Sequence, residues 1–101
     1  MKGYEFLPEA EEEMNEAARF YERRKKALGL KFLNAVERTI ISILAHPRSG
    51  LALSPSIRRR IVRGFPFGVL YGIQSEKIVI VAVAHLKRRP GYWKGRIGRE
   101  V

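Results

Sequence analysis

His85, Lys87, Arg88, Arg89, Tyr92, Trp93, Lys94 and Arg96 crowd into one short segment near the end of the chain. Cations interleaved with aromatic rings suit contact to phosphates combined with stacking on bases. A histidine among them can give or take a proton near neutral pH, or can be a satisfied, partly buried group that orders the loop. Trp93 is expected to fold back and seal the core, with the cations left solvated. A second basic cluster, Arg58, Arg59, Arg60 and Arg63, lies in IRRRIVR. On a strand Arg58 and Arg60 share one face, Arg59 and Arg63 the other. They suit contact to phosphate or carboxylate, or serve as edge charges that discourage sheet-to-sheet aggregation. Glu76 and Glu100 are the only acids after residue 56. With no carboxylate pair beside the basic region, no glycine-rich phosphate loop and no serine nucleophile motif, proton transfer falls to His85, Tyr92 or a lysine. The chain has no cysteine, and His46 lies in another element, so no metal site and no cofactor are implied.

These residues need elements to hold them. Ile78 to Ala84 is an unbroken, mostly β-branched run, too short for a bilayer and of a length for a central strand covered on both faces. It delivers His85 directly, on the face shared by Val79, Val81 and Val83. Before it, Phe67, Val69, Tyr71 and Ile73 face one way and Gly68, Leu70 and Gly72 the other, with the two glycines leaving room for close packing, a helix being the common occupant. Gln74 to Lys77 reads as a tight turn joining a hairpin, and Pro66 as a bend. Residues 48–56 read as a loop. In the first half, Tyr4 to Leu7 reads as a short strand. Pro8 opens a helix whose stripe is Ala10, Met14, Ala17 and Tyr21 and which stops near Gly29. A second, more buried helix runs from about Leu30 to His46 and Pro47. Strand, helical hairpin and three closely linked strands give an α+β domain over 1–101, with two helices on one face of a small antiparallel sheet and the other face open.

The net charge of +10 is unevenly spread: −1 over residues 1–29, +2 over 30–56 and +9 over 57–101. A one-sided basic surface attracts polyanions or an acidic protein through salt-sensitive forces. Nothing at the start marks secretion or membrane insertion, so a cytoplasmic protein with no membrane partner is expected.

Taken together, FLPEAEEEMNEAARFYE, GLKFLNAVERTIISILAHP, IRRRIVRGFPFGVLYGI and IVIVAVAHLKRRPGYW resemble the RelE/ParE superfamily of type II toxin–antitoxin toxins, in its plasmid-stabilisation, ParE-like branch. The resemblance implies a small toxin neutralised by a cognate antitoxin that wraps it. The ParE-like branch acts on DNA gyrase, which this reading favours, through target contacts at Arg58, Arg60, Arg63, Arg88, Arg89 and Arg96. The RelE-like branch implies instead a metal-independent endoribonuclease acting on messenger RNA at the ribosome, an mRNA interferase. In it His85 or Tyr92 would be catalytic and the arginines would stabilise the phosphate. Arginine where such nucleases often carry lysine counts against that alternative, because arginine does not give up its proton. A non-toxic nucleic-acid-binding module is the third possibility.

Overall fold

The computed structural model describes residues 3–98. Its elements are β1 (Gly3–Phe6), α1 (Pro8–Arg24), α2 (Leu28–Ala45), β2 (Leu51–Ala52), β3 (Arg58–Ile61), β4 (Phe67–Gln74) and β5 (Lys77–His85), followed by a single 3-10 turn at Lys94–Arg96. The five strands form one sheet in the order β1-β5-β4-β3-β2. Short links make β2, β3, β4 and β5 antiparallel neighbours in succession. β1, separated from β5 by most of the chain, is free of that constraint and runs parallel to it, so the sheet is mixed. The α+β class follows as expected, with two differences: the sheet is mixed and not the antiparallel one expected from the short links, and the segment read as loop contributes the two-residue strand β2.

Pro8 sits in the first turn of α1, with Glu9 and Glu11 beside it and Arg23 and Arg24 in the last turn, each charge placed favourably against the helix dipole. The turn between the helices differs from the sequence expectation. Gly29 does not stop α1; it is buried inside α2, where an added Cβ would stand 2.5 Å from the Ala18 carbonyl oxygen. Its bare backbone lets the two helices touch. Ala27 takes the left-handed conformation instead (φ 71°), and the Glu22 carboxylate accepts the amides of Ala27 and Gly29, a cap supplied from outside α2.

The helices cover one sheet face. Phe65 and Phe67, either side of the Pro66 bend, pack with Tyr21 and Phe32 at ring-centroid separations of 5.0 to 6.1 Å. Met14 and Tyr21 border this core, and Phe32, Val36, Ile43, Val69 and Tyr71 lie within it. The Tyr71 hydroxyl donates to the Pro47 carbonyl (2.6 Å) and accepts the Gly50 amide (3.2 Å), which fastens the connection after α2 to the sheet.

One irregularity re-aims β5. Tyr71 pairs with Ile80 but Leu70 with Ala82, so Val81 is an extra residue. Directly paired residues share a face, so Ile78, Ile80, Val83 and His85 accompany Ile73, Tyr71, Val69 and Phe67 toward the helices. Val79, opposite Gly72, faces the other way, contrary to the simple alternation that grouped it with His85.

Candidate functional site

The ladder between β3 and β4 separates the arginines by role. Arg58 and Arg60 pair with Tyr71 and Val69, so they stand on the helix side of the sheet. There Arg58 donates to the carbonyls of Arg48 (3.1 Å) and Gly50 (2.9 Å), and Arg60 to the hydroxyls of Ser49 (2.6 Å) and Ser42 (2.8 Å). Both guanidiniums therefore brace the segment after α2, and what they have left for a target is limited. Arg59 pairs with Leu70 on the opposite face. Its stem crosses Gly68, where an added Cβ would meet Arg59 Cγ and Cδ at 2.9 Å; an arginine stem, and not a helix, is the reason for that glycine. Arg63 is exposed in the turn between β3 and β4.

At the far end of β5 the controlling group is an acid from α1. β1 accompanies β5 only through Ile80, with the Leu7 amide donating to the Ile80 carbonyl as its last contact. Beyond that point the edge of β5 is satisfied by side chains. Glu13 accepts the Val83 amide (3.1 Å), and Arg96 donates to the Val81 carbonyl (3.0 Å). The two groups also pair with each other, Nη1 to Oε1 at 2.9 Å and Nη2 to Oε2 at 2.8 Å, with side chains only 15% and 17% exposed. Glu13 further accepts the Tyr92 hydroxyl at 2.7 Å. The guanidiniums of Arg88 and Arg96 lie 3.8 and 5.0 Å from the centroid of the Tyr92 ring, within cation–π range.

This arrangement changes what three predicted residues can do. Burial, reinforced by the hydrogen bond to Glu13 and its charge, raises the Tyr92 phenol well above the ordinary tyrosine value, so it keeps its proton. Arg96 is committed to Glu13, whose hydrogen bonds raise its pKa further, and is not a free target ligand. Trp93 is 5% exposed and joins the core, as expected for a ring that folds back. Neither aromatic ring of this segment offers a clear platform for a base.

His85 remains. Its Nδ1 accepts the Lys87 amide at 3.0 Å, which assigns the proton of the neutral ring to Nε2, and Phe67 packs edge-on against it at 5.2 Å. The bond organises the Lys87–Arg89 turn. Arg88 and Arg89 are both exposed beside it. His85 and Arg88 are shared between two hollows, a cleft of about 490 Å³ against α1 with Phe20, Tyr21 and Phe67 in its wall, and one of about 280 Å³ on the other sheet face. Among the described residues no group of three metal-ligating side chains occurs, and no helix is long and apolar enough to cross a membrane.

The Tyr92 contact predicts an alkaline signature. An unfolded tyrosine ionises near pH 10, whereas the folded phenol resists, so the stabilisation is complete below about pH 10 and fades as pH rises beyond it. Substituting Y92F should cost about 1–2 kcal/mol at pH 7. The gap between the two proteins in urea unfolding should narrow above about pH 10; a gap constant through pH 11 would contradict the Glu13 bond.

Glu13 is the residue that the sequence analysis does not single out. It falls on the apolar stripe of α1, three residues after Ala10 and four before Ala17, and an acid on a buried stripe is the available signal.

Residues 4–90 match the family described as the ParE toxin of the type II toxin–antitoxin system parDE. In a solved structure described as the chromosomal ParDE TA system from P. aeruginosa, one chain superposes with a TM-score of 0.61 at 16% identity, covering 84% of this chain and 95% of that one, a likeness of fold. No curated protein matches. Joined to a match over most of its length, the sheet order, the helical hairpin and the basic carboxyl-terminal half lead to one assignment: the chain belongs to the ParE toxin family of type II toxin–antitoxin systems.

Proposed function

We infer that this toxin works by binding a protein target, DNA gyrase, and that a cognate antitoxin neutralises it in the cytoplasm. The observation that carries the reading is the state of Tyr92: its hydroxyl is given to Glu13 and its ring lies against two guanidiniums. Phosphodiester cleavage through a 2′-hydroxyl needs one group to take a proton and another to return it. Arginine cannot do either and Tyr92 is engaged, so the acid–base set is reduced to His85 and a lysine. The exposed cations Arg63, Arg88 and Arg89 remain suited to contact with an acidic protein surface.

The test pairs two assays on the purified toxin. It should inhibit negative supercoiling of a relaxed plasmid by gyrase while leaving messenger RNA intact in a ribosome-containing extract. Supercoiling at the uninhibited rate together with cleaved messenger would replace this reading by the ribonuclease one. Harmless expression without a partner, with neither effect, would leave a plain binding module.

A further inference from the structure

Three successive amides in the turn after β5 point back to fixed acceptors. Leu86 donates to the Pro66 carbonyl (2.9 Å), Lys87 to His85 Nδ1 (3.0 Å) and Arg88 to the His85 carbonyl (3.0 Å). Of the three, the Lys87 amide is the one held by a side chain, and that side chain can change charge. The turn carries Arg88 and Arg89, two of the exposed cations suited to the target, and the Arg88 guanidinium is steadied at its other end by the Tyr92 ring, 3.8 Å away. Nδ1 accepts only while the ring is neutral; an imidazolium has a donor at both nitrogens.

What surrounds the ring decides what happens when it gains a proton. From α1 the carboxylates Glu12, Glu13 and Glu16 and the Tyr21 phenol line its cleft. Arg19 takes Glu12 and Glu16, and Arg96 takes Glu13, so these acids are already compensated. On the other sheet face stand Arg59 from β3 and Arg88, Arg89, Tyr92 and Lys94 from the ring's own segment. Protonation therefore sets two donors against each other at Nδ1 and adds a charge to a neighbourhood already rich in cations. The Lys87 amide is the contact that gives way.

We propose that His85 is a positioning residue for target binding: its neutral ring holds Arg88 and Arg89 in place through the Lys87 amide, and its protonation releases them. Histidine changes charge between about pH 5 and 8, so the toxin is expected to grip its target less firmly at the acid end of that range. The effect on binding rests on the reading of Arg88 and Arg89 as gyrase contacts, whereas the release of the amide does not.

The experiment follows the Lys87 amide by NMR as the pH is lowered from about 8 to about 5, beside the ring protons of His85, in the parent and in the variants H85N and H85F. Asparagine accepts the amide two residues on and has no proton to gain, so H85N keeps the bond without the switch; phenylalanine removes both. In the parent the amide resonance should move in step with the ring and lose exchange protection, and in H85N it should hold still. At about pH 7.5, H85F should inhibit supercoiling at least about fivefold more weakly than the parent, and H85N should restore inhibition to within about twofold. A Lys87 amide indifferent to protonation of the ring, or H85F as potent as the parent, would overturn the proposal. A parent whose amide follows the ring while gyrase is untouched would support the switch and sink the gyrase reading instead.

Discussion

Replacing Glu13 by alanine should lower the unfolding free energy by about 3 kcal/mol, the lower end of what removing one partner from a buried ion pair costs. The reason is how much converges on one carboxylate: the Val83 amide, the Tyr92 hydroxyl and both terminal nitrogens of Arg96. Alanine takes the hydrogen-bonded carboxylate away from a guanidinium that is only 15% exposed. Against a total stability of about 5–15 kcal/mol for a domain of this kind, the loss is large. Urea unfolding measures it. The double variant E13L/R96M separates pairing from packing, because two apolar side chains should recover much of the loss when the cost lies in the uncompensated charge. A change below about 1 kcal/mol in E13A would mean that the pair does not hold the carboxyl-terminal segment.

Trp93 to alanine should cost about 3–5 kcal/mol, the range for emptying a large buried aromatic site. The tryptophan belongs to the core cluster and lines the cavity beside Leu70 and Ala84, on the sheet face the helices do not reach. Removing it opens that face to water and takes away the floor beneath Arg59. Thermal unfolding should report the loss, and W93F should restore about half of it or more, since most of the apolar area returns. An alanine variant as stable as the parent would show that the segment after β5 merely rests on the sheet.

Sequence patterns disclosed what repeats and hid what meets across the chain. The β-branched run of β5 and the alternation of Phe67, Val69, Tyr71 and Ile73 identified the hairpin because strand burial has a period of two. The stripe from Ala10 to Tyr21 identified α1 for the corresponding helical reason. The parallel placement of β1 was not legible, since no local rule links residues at opposite ends of a chain. The bulge at Val81 was hidden as well, because one extra residue in a uniformly apolar run leaves no mark, yet it decides that Val79 and His85 face opposite ways. At the site, IRRRIVR announced arginine without saying which would be consumed internally. Arg58 and Arg60 are spent on Ser42 in the last turn of α2 and on Ser49 and two carbonyls of the segment after it, partners that only folding brings near. Tyr92 looked available for proton transfer because its acceptor, Glu13, lies in the acidic run of α1, far from every basic motif.

β5 is the longest and most apolar strand, and thus the one best able to template growth by a foreign chain. One flank is occupied by β4; the other passes from β1 to a carboxylate and a guanidinium that imitate a neighbouring backbone through Val83. A visiting strand is thereby turned away from the middle of the sheet and left with the four residues of β1 or the two of β2 as footholds. Guarding against self-assembly is in this way entrusted to two side chains, and variants at Glu13 or Arg96 are those in which turbidity on concentration would first betray its loss.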